Sequence, residues 1–304
     1  MVVTLLVLVL FFIYEDKITN KIVHSGIIPP VTNNATQYVV APKIPDEMEF
    51  AGEKVPLELL DVRERLDAEL IAGNYWHSYS MLLIKRANRW FPVIEPILKK
   101  NDVPDDIKYL CMIESGLTNA VSPKGATGFW QFMKPAGKEY GLEINGEVDE
   151  RYHVEKATEA ACKYLKDAKS EFGSWAAAAA AYNYGFNGVR RQIERQKEKN
   201  YYNLILPDET EKYMFRILAA KEVYENQEKY GFNIADEDLY PEWNWKTVKV
   251  TGKINHWTDF AKKYNLNYRI LKIFNPWLRD HNLTNKSGKT YEIKIPDEES
   301  IYFK

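Results

Sequence analysis

Hydrophobic positions along the chain fall into distinct regimes. From Met1 to Tyr14 nearly every residue is apolar, Thr4 being the main interruption, and Glu15, Asp16 and Lys17 close the run. A membrane-crossing helix needs about 20 apolar residues. Residues 1–14 are shorter and read as an export signal or weak membrane anchor; a buried N-terminal strand shares the pattern. From 15 to 56 no period lasts, and Pro29, Pro30, Pro42, Pro45 and Pro56 mark an extended linker. From Leu57 onward apolar residues recur at helical spacing.

The first helix carries Leu57, Leu60, Leu66, Leu70 and Ile71 and breaks at Gly73 and Asn74. A second is expected from Tyr75 to Trp90, and a third, bounded by Pro92 and Pro96, reaches Lys100. Further helices are expected over 102–115, 135–140, 154–172, 175–184, 189–200 and 209–228. No run here alternates like a strand, so 57–235 reads as one all-α domain. After Pro241 the pattern changes. Thr247 to Val250 and Tyr291 to Ile295 alternate, and helical stretches run from His256 to Tyr264 and from Tyr268 to Asn275. Residues 241–304 thus form a small β-α-α-β unit, and the fold class is mainly α.

Charge sharpens this division. Over the whole chain 41 Lys and Arg face 43 Asp and Glu, which disfavours a nucleic-acid binder. Residues 241–304 nevertheless carry twelve basic against seven acidic side chains, so the near-neutral total hides a positive C-terminal part and a negative remainder. Two cysteines rule out a disulfide scaffold; Cys111 and Cys162 could pair in an oxidising compartment, but nothing in the sequence brings them within bridging distance, and they read rather as two buried free thiols. The five histidines have no metal-ligand spacing, so neither metal nor cofactor is expected.

One residue sits where physics disfavours it. In the helix over 102–115, Ile107, Leu110, Cys111 and Glu114 share a face that is otherwise apolar. Glu114 also occupies the last turn before Gly116, at the negative end of the helix dipole. Burial and dipole both raise a carboxyl's pKa, which is what a general acid requires. A helix-end Glu turned to solvent fits the same pattern. Downstream, Ser122-Pro123-Lys124-Gly125-Ala126-Thr127-Gly128-Phe129-Trp130-Gln131-Phe132-Met133 combines small residues with an amphipathic cluster. Glycine permits close backbone approach to a ligand. Trp130 offers a ring face for a sugar and Gln131 a donor and an acceptor. A turn packed by core aromatics has the same composition. Six alanines, Ala176 to Ala181, then lead into Tyr182 and Asn183, a tightly packed helix with two polar residues fixed at its end.

Glu114-Ser115, the Ser122 to Met133 segment and Ala181-Tyr182-Asn183 together resemble the lytic transglycosylases of glycoside hydrolase family 23, most of all their membrane-bound type D subgroup. The resemblance covers about 57–232, including Val148 to Arg151 and Leu206 to Thr210; the usual Gly-Leu-Trp-Gln stands here as Gly128-Phe129-Trp130-Gln131. It implies a lysozyme-like helical fold and an exported enzyme of the periplasm or cell envelope. Its implied partner is the glycan strand of peptidoglycan, cut between N-acetylmuramic acid and N-acetylglucosamine to leave a 1,6-anhydromuramoyl end. Glu114 would be the single acid and base. Ser122, Gly128, Trp130, Gln131, Met133, Tyr182 and Asn183 would line the substrate site. The absence of a second acid from these motifs fits that chemistry, because most glycosidases need two carboxyls. Asp149 and Glu150 read instead as structural partners of Arg151. The C-terminal unit resembles a divergent LysM module through Val248, Val250, Ala261 to Tyr264, Asn275-Pro276 and Ile293 to Pro296, which implies wall binding. Two other functions remain open: a muramidase using water, and a wall-binding scaffold without catalysis.

Overall fold

The computed structural model describes residues 40–302. The expected signal or anchor over 1–14, and the linker as far as residue 39, lie outside the described residues. The described residues from Pro42 onward belong to one compact unit, in which helices predominate. Eight helices come first: α1 Leu60–Tyr75, α2 His77–Lys100, α3 Ile107–Ser115, α4 Lys134–Glu139, α5 Val154–Phe172, α6 Trp175–Tyr184, α7 Phe186–Gln196 and α8 Asp208–Glu225. A β-α-α-β module follows, with β3 Trp245–Val250, α9 Trp257–Lys262, α10 Tyr268–Phe274 and β4 Tyr291–Pro296. β3 and β4 pair antiparallel, with Val248 opposite Ile293. Among the described residues no helix is long and apolar enough to cross a membrane.

Three expectations need correction. The linker does not run to 56. Strands β1 Glu49–Phe50 and β2 Glu53–Lys54 form a hairpin whose turn, Ala51-Gly52, adopts positive φ. This hairpin sinks Phe50 and Val55 into the helical core. Asp106 accepts the Ala51 N–H at 2.7 Å, and Glu53 accepts the Trp175 N–H at 2.8 Å, capping α6. The break at Gly73 does not occur, because α1 runs through it. Nor do Pro92 and Pro96 end a helix, since both lie inside α2. Each proline removes one ladder hydrogen bond, but Leu83, Ile84, Ala87, Phe91, Ile94 and Leu98 bury a continuous face around them.

The helical core is arranged around α6. Ala176 to Ala181 are all buried, and the small side chains let α5, α7 and α8 pack close to it. α3 lies between α2 and α8, buried from Ile107 to Met112. Cys111 and Cys162 are both buried and free.

The module is docked on the helical bundle through residues 143–155. Val148 is 1% exposed because it belongs to the module's core, beside Leu278 and Trp277. The Asp149 N–H donates to the Trp277 carbonyl at 2.9 Å, and the Arg279 N–H to the Glu147 carbonyl at 2.8 Å. Lys289 pairs with Glu143 at 2.9 Å, and Lys294 with Glu155. Replacing Val148 by Asp buries an unpaired carboxyl in this core, at a cost of about 3 kcal/mol. Hydrogen exchange should then rise across 246–296 while α5, α6 and α8 keep their protection; unchanged exchange in the module would show that Val148 does not fix it.

Candidate active site

Glu114 ends α3 because the chain turns sharply after it. Gly116 adopts φ +60 and donates its N–H to the Met112 carbonyl at 2.9 Å, a left-handed helix stop. The carboxyl is half-buried beside α8, where the Tyr213 hydroxyl donates to Oε1. Burial raises the Glu114 pKa from 4.5 to about 7; the Tyr213 hydrogen bond pulls it down, and the charge of Glu209 pushes it further up. Burial, then the Glu114 charge, in turn drives the Tyr213 and Tyr182 hydroxyls well above their ordinary range. Tyr213 is a neighbour of Glu114 that the motifs do not reveal. Its signal was spacing: Tyr213 lies three residues after Thr210, on the same face of α8.

The loop from Ala120 to Met133 is linked to this carboxyl through Tyr182, which feels the Glu114 charge and bonds the loop. Ser122 closes the turn, its Oγ accepting the Ala126 N–H at 3.0 Å and its carbonyl the Gly125 N–H at 2.9 Å. Gln131 adopts φ +49, and its amide nitrogen donates to the Gly128 carbonyl at 2.7 Å and the Ala120 carbonyl at 3.1 Å. Tyr182 donates its hydroxyl to the Trp130 carbonyl at 2.6 Å, tying α6 to the loop. Asn183 accepts from the Thr210 hydroxyl at 2.8 Å, tying α6 to α8. Met133 is 45% exposed at the start of α4. Among the described residues no hydrogen bond joins Ser122, Gln131 or Asn183 directly to Glu114.

Two expected ligand contacts are corrected. Trp130 is fully buried, and its indole N–H donates to Thr158 at 2.8 Å, so it presents no face to a sugar. Gly128 makes its close approach to protein rather than ligand. A Cβ there would lie 1.9 Å from the Arg151 carbonyl oxygen, and its φ is +83. Arg151 is itself held by a two-point ion pair to Asp149, at 2.9 and 2.7 Å, and donates to the carbonyls of Gly125 and Phe132. Asp149 and Arg151 are thus buried supports of the loop, and Glu150 pairs with Lys156.

An open aromatic face lies elsewhere. A groove of about 470 Å³ runs between α1, α2, α3 and α8, lined by Trp76, Tyr79, Ile113 and Arg216. Trp76 is 63% exposed and stacks on Tyr79, with centroids 4.6 Å apart. The Tyr79 hydroxyl approaches Gly116, two residues beyond Glu114. Glu114 itself does not line this groove, which reaches the site through Ile113 and Tyr79; an open aromatic wall of this kind suits a sugar. Among the described residues no cluster of His, Cys, Asp and Glu is built to hold a metal.

Comparison with known proteins defines the class. Residues 91–205 match the transglycosylase SLT domain, and residues 246–299 match the soluble lytic transglycosylase C-terminal LysM-like domain. The chain therefore carries an SLT transglycosylase domain of lysozyme-like, mainly helical fold, followed by a LysM-like domain. Its distant relatives include the membrane-bound lytic murein transglycosylase D of Escherichia coli strain K12. That protein is 28% identical over 198 residues, covering 62% of this chain and 43% of the relative. The protein of the same name from Escherichia coli O6:H1 gives the same figures. The chain thus matches less than half the length of these relatives.

The raised pKa has a consequence for stability. The folded chain binds the Glu114 proton more tightly than the unfolded chain, so the ionised form costs stability. That cost grows as pH rises from 4.5 through about 7. Glu114→Gln removes the charge and keeps an acceptor for Tyr213. At pH 8 it should melt roughly 2–4 °C above the unsubstituted chain, for about 1 kcal/mol recovered. At pH 4 the two should melt together.

Proposed function

We propose that the protein is a peptidoglycan lytic transglycosylase with Glu114 as its sole acid and base. The observation that carries this reading is a half-buried carboxyl that ends a helix in an SLT domain and whose pKa desolvation raises to about 7. Protonated Glu114 gives its proton to the oxygen of the bond between N-acetylmuramic acid and N-acetylglucosamine, and that bond breaks. The carboxylate left behind takes the proton of the C6 hydroxyl as that oxygen bonds to C1 of the same sugar. A 1,6-anhydro ring forms, and Glu114 ends the cycle protonated. The Tyr213 hydroxyl stabilises the carboxylate in between. Trp76 and Tyr79 stack on pyranose faces along the groove, while Ser122, Gln131, Met133 and Asn183 contribute from the loop and the end of α6.

Hydrolysis by a water-activating muramidase is the second reading. Glu209 favours it, because its charge acts on Glu114. Glu209 is, however, exposed and engaged with Arg216 at 2.6 Å, a poor position for activating water. The relatives' names place them at a membrane; for this chain an envelope location, with residues 1–14 as export signal or anchor, belongs to the same proposal. So do a catalytic domain that takes in the hairpin at 49–54 and ends near 235, and a wall-binding module over 241–304.

Two measurements check the proposal. Mass spectrometry of digested sacculi should find anhydro ends, one water lighter than reducing ends. Glu114→Gln should lower their production about 10²–10⁴-fold. Reducing ends alone would point to hydrolysis, and full activity in Glu114→Gln would remove Glu114 from the chemistry. The rate should also fall as pH rises through about 7. In Tyr213→Phe the hydrogen bond that lowers the pKa is gone, so this alkaline limb should move upward while the maximal rate drops. An unmoved limb would mean that Tyr213 does not act on Glu114.

A further inference from the structure

The joint between the helical bundle and the module encloses a cavity that the chemistry above does not use. It measures about 220 Å³, room for a single amino-acid residue or pyranose. Arg86, Arg89 and Trp90 line it from α2, and Trp243, Trp277 and Lys294 from the C-terminal side. Leu117, Thr118 and Asn119 also line it, so its floor is the chain that leaves Glu114.

Three features of this cavity call for an anionic ligand. The first is charge. Its one acidic side chain, Glu155, is paired through Oε1 with Lys294; its Oε2 lies 3.0 Å from His153 Nδ1, and both of those atoms are buried without a hydrogen bond. Among the described residues neither Arg86 nor Arg89 pairs with a carboxylate. Arg86 donates to the Gly116 carbonyl and Arg89 to the Pro241 carbonyl, each at 2.9 Å. Burial lowers the Arg89 pKa, as befits a guanidinium taken from water without an anion. The second is polar satisfaction. Trp277 is 2% exposed, and its indole N–H is buried with no acceptor, as an anion would supply; Asn119 Oδ1 is buried with no donor, which calls for an N–H on the ligand beside its charge. Such atoms usually have partners, so both await something the protein does not supply. The third is preorganisation. The Arg89 guanidinium lies 4.4 Å from the Trp243 ring centroid, and Trp243 packs edge-on to Trp90 at 5.3 Å.

Position then selects the ligand. Arg86 touches both the cavity and the Gly116 carbonyl, two residues beyond Glu114. A side arm branching from a sugar at Glu114 therefore has this cavity beside it. We propose that the joint cavity binds a carboxylate on the acidic peptide arm carried by the muramyl sugar, making the LysM-like module part of the substrate site. The ligand class rests on the peptidoglycan reading above.

Calorimetry on the full chain carrying Glu114→Gln, which prevents turnover, tests this with three probes. They are N-acetylmuramyl-L-alanyl-D-glutamate, the neutral trimer of N-acetylglucosamine, and inorganic phosphate. The carboxylated probe should bind at least about tenfold more tightly than either of the others. Adding Arg89→Gln should weaken it about tenfold, with Arg89→Lys recovering part of the loss. Trp277→Phe, which keeps the ring and removes the N–H, should weaken it severalfold. Equal affinity for the carboxylated probe and the neutral trimer would overturn the proposal. So would unchanged affinity in Arg89→Gln and Trp277→Phe at unchanged melting temperature. Full displacement by phosphate would overturn the peptide assignment in favour of a general anion hole. Because binding is read without turnover, absence of anhydro products from the unsubstituted chain would sink the reading of the activity and leave this result to stand separately.

Discussion

A carboxyl at the end of a buried helix is an electrostatic liability, and the helical domain is organised around holding one there. α3 is short and sunk among α2, α8 and the 120–133 loop, so its last turn delivers Glu114 into a region of low polarity. The left-handed stop at Gly116 turns the chain away immediately, and Arg86 takes the carbonyl of that stop. Tyr213 supplies the hydrogen bond that keeps the ionised form accessible. Without burial the proton would leave at ordinary acidity; without Tyr213 it would be held more tightly still. A pKa of about 7 is the balance of the two.

The rest of the site serves this balance indirectly. Trp130 and Tyr182 fix the loop to α5 and α6, and Asn183 fixes α6 to α8, the helix that carries Tyr213. The pair Asp149–Arg151 clamps the same loop from outside and continues into the segment that docks the module. The charge division along the chain acquires a structural use here. Lys289 and Lys294, part of the positive C-terminal excess, meet Glu143 and Glu155 from the acidic remainder. Part of that positive charge is therefore spent inside the protein rather than offered to a wall polymer.

How much of this could be read in the sequence depended on whether the signal was local. Glu114 was legible because periodicity put an acid on an apolar face and Gly116 marked the helix end. The paired strands and helices of the module were legible because period-two and helical runs alternate cleanly there. Pro92 and Pro96 misled because tertiary packing overrode a local preference. The β1–β2 hairpin was hidden in a proline-rich stretch, since only Phe50 and Val55 reach the core. Trp130 misled for a different reason: composition cannot tell a ring that faces a ligand from one whose N–H is satisfied by Thr158. Tyr213 lies 99 residues from Glu114, and only the packing of α8 against α3 brings them together.

The central claim is that Glu114 keeps its proton near neutral pH because it is buried. The most direct measurement is the titration of its carboxyl carbon by isotope-edited NMR, assigned by its loss in Glu114→Gln. Burial of the carboxyl puts the expected midpoint at about 7. A midpoint at the ordinary 4.5 would contradict it.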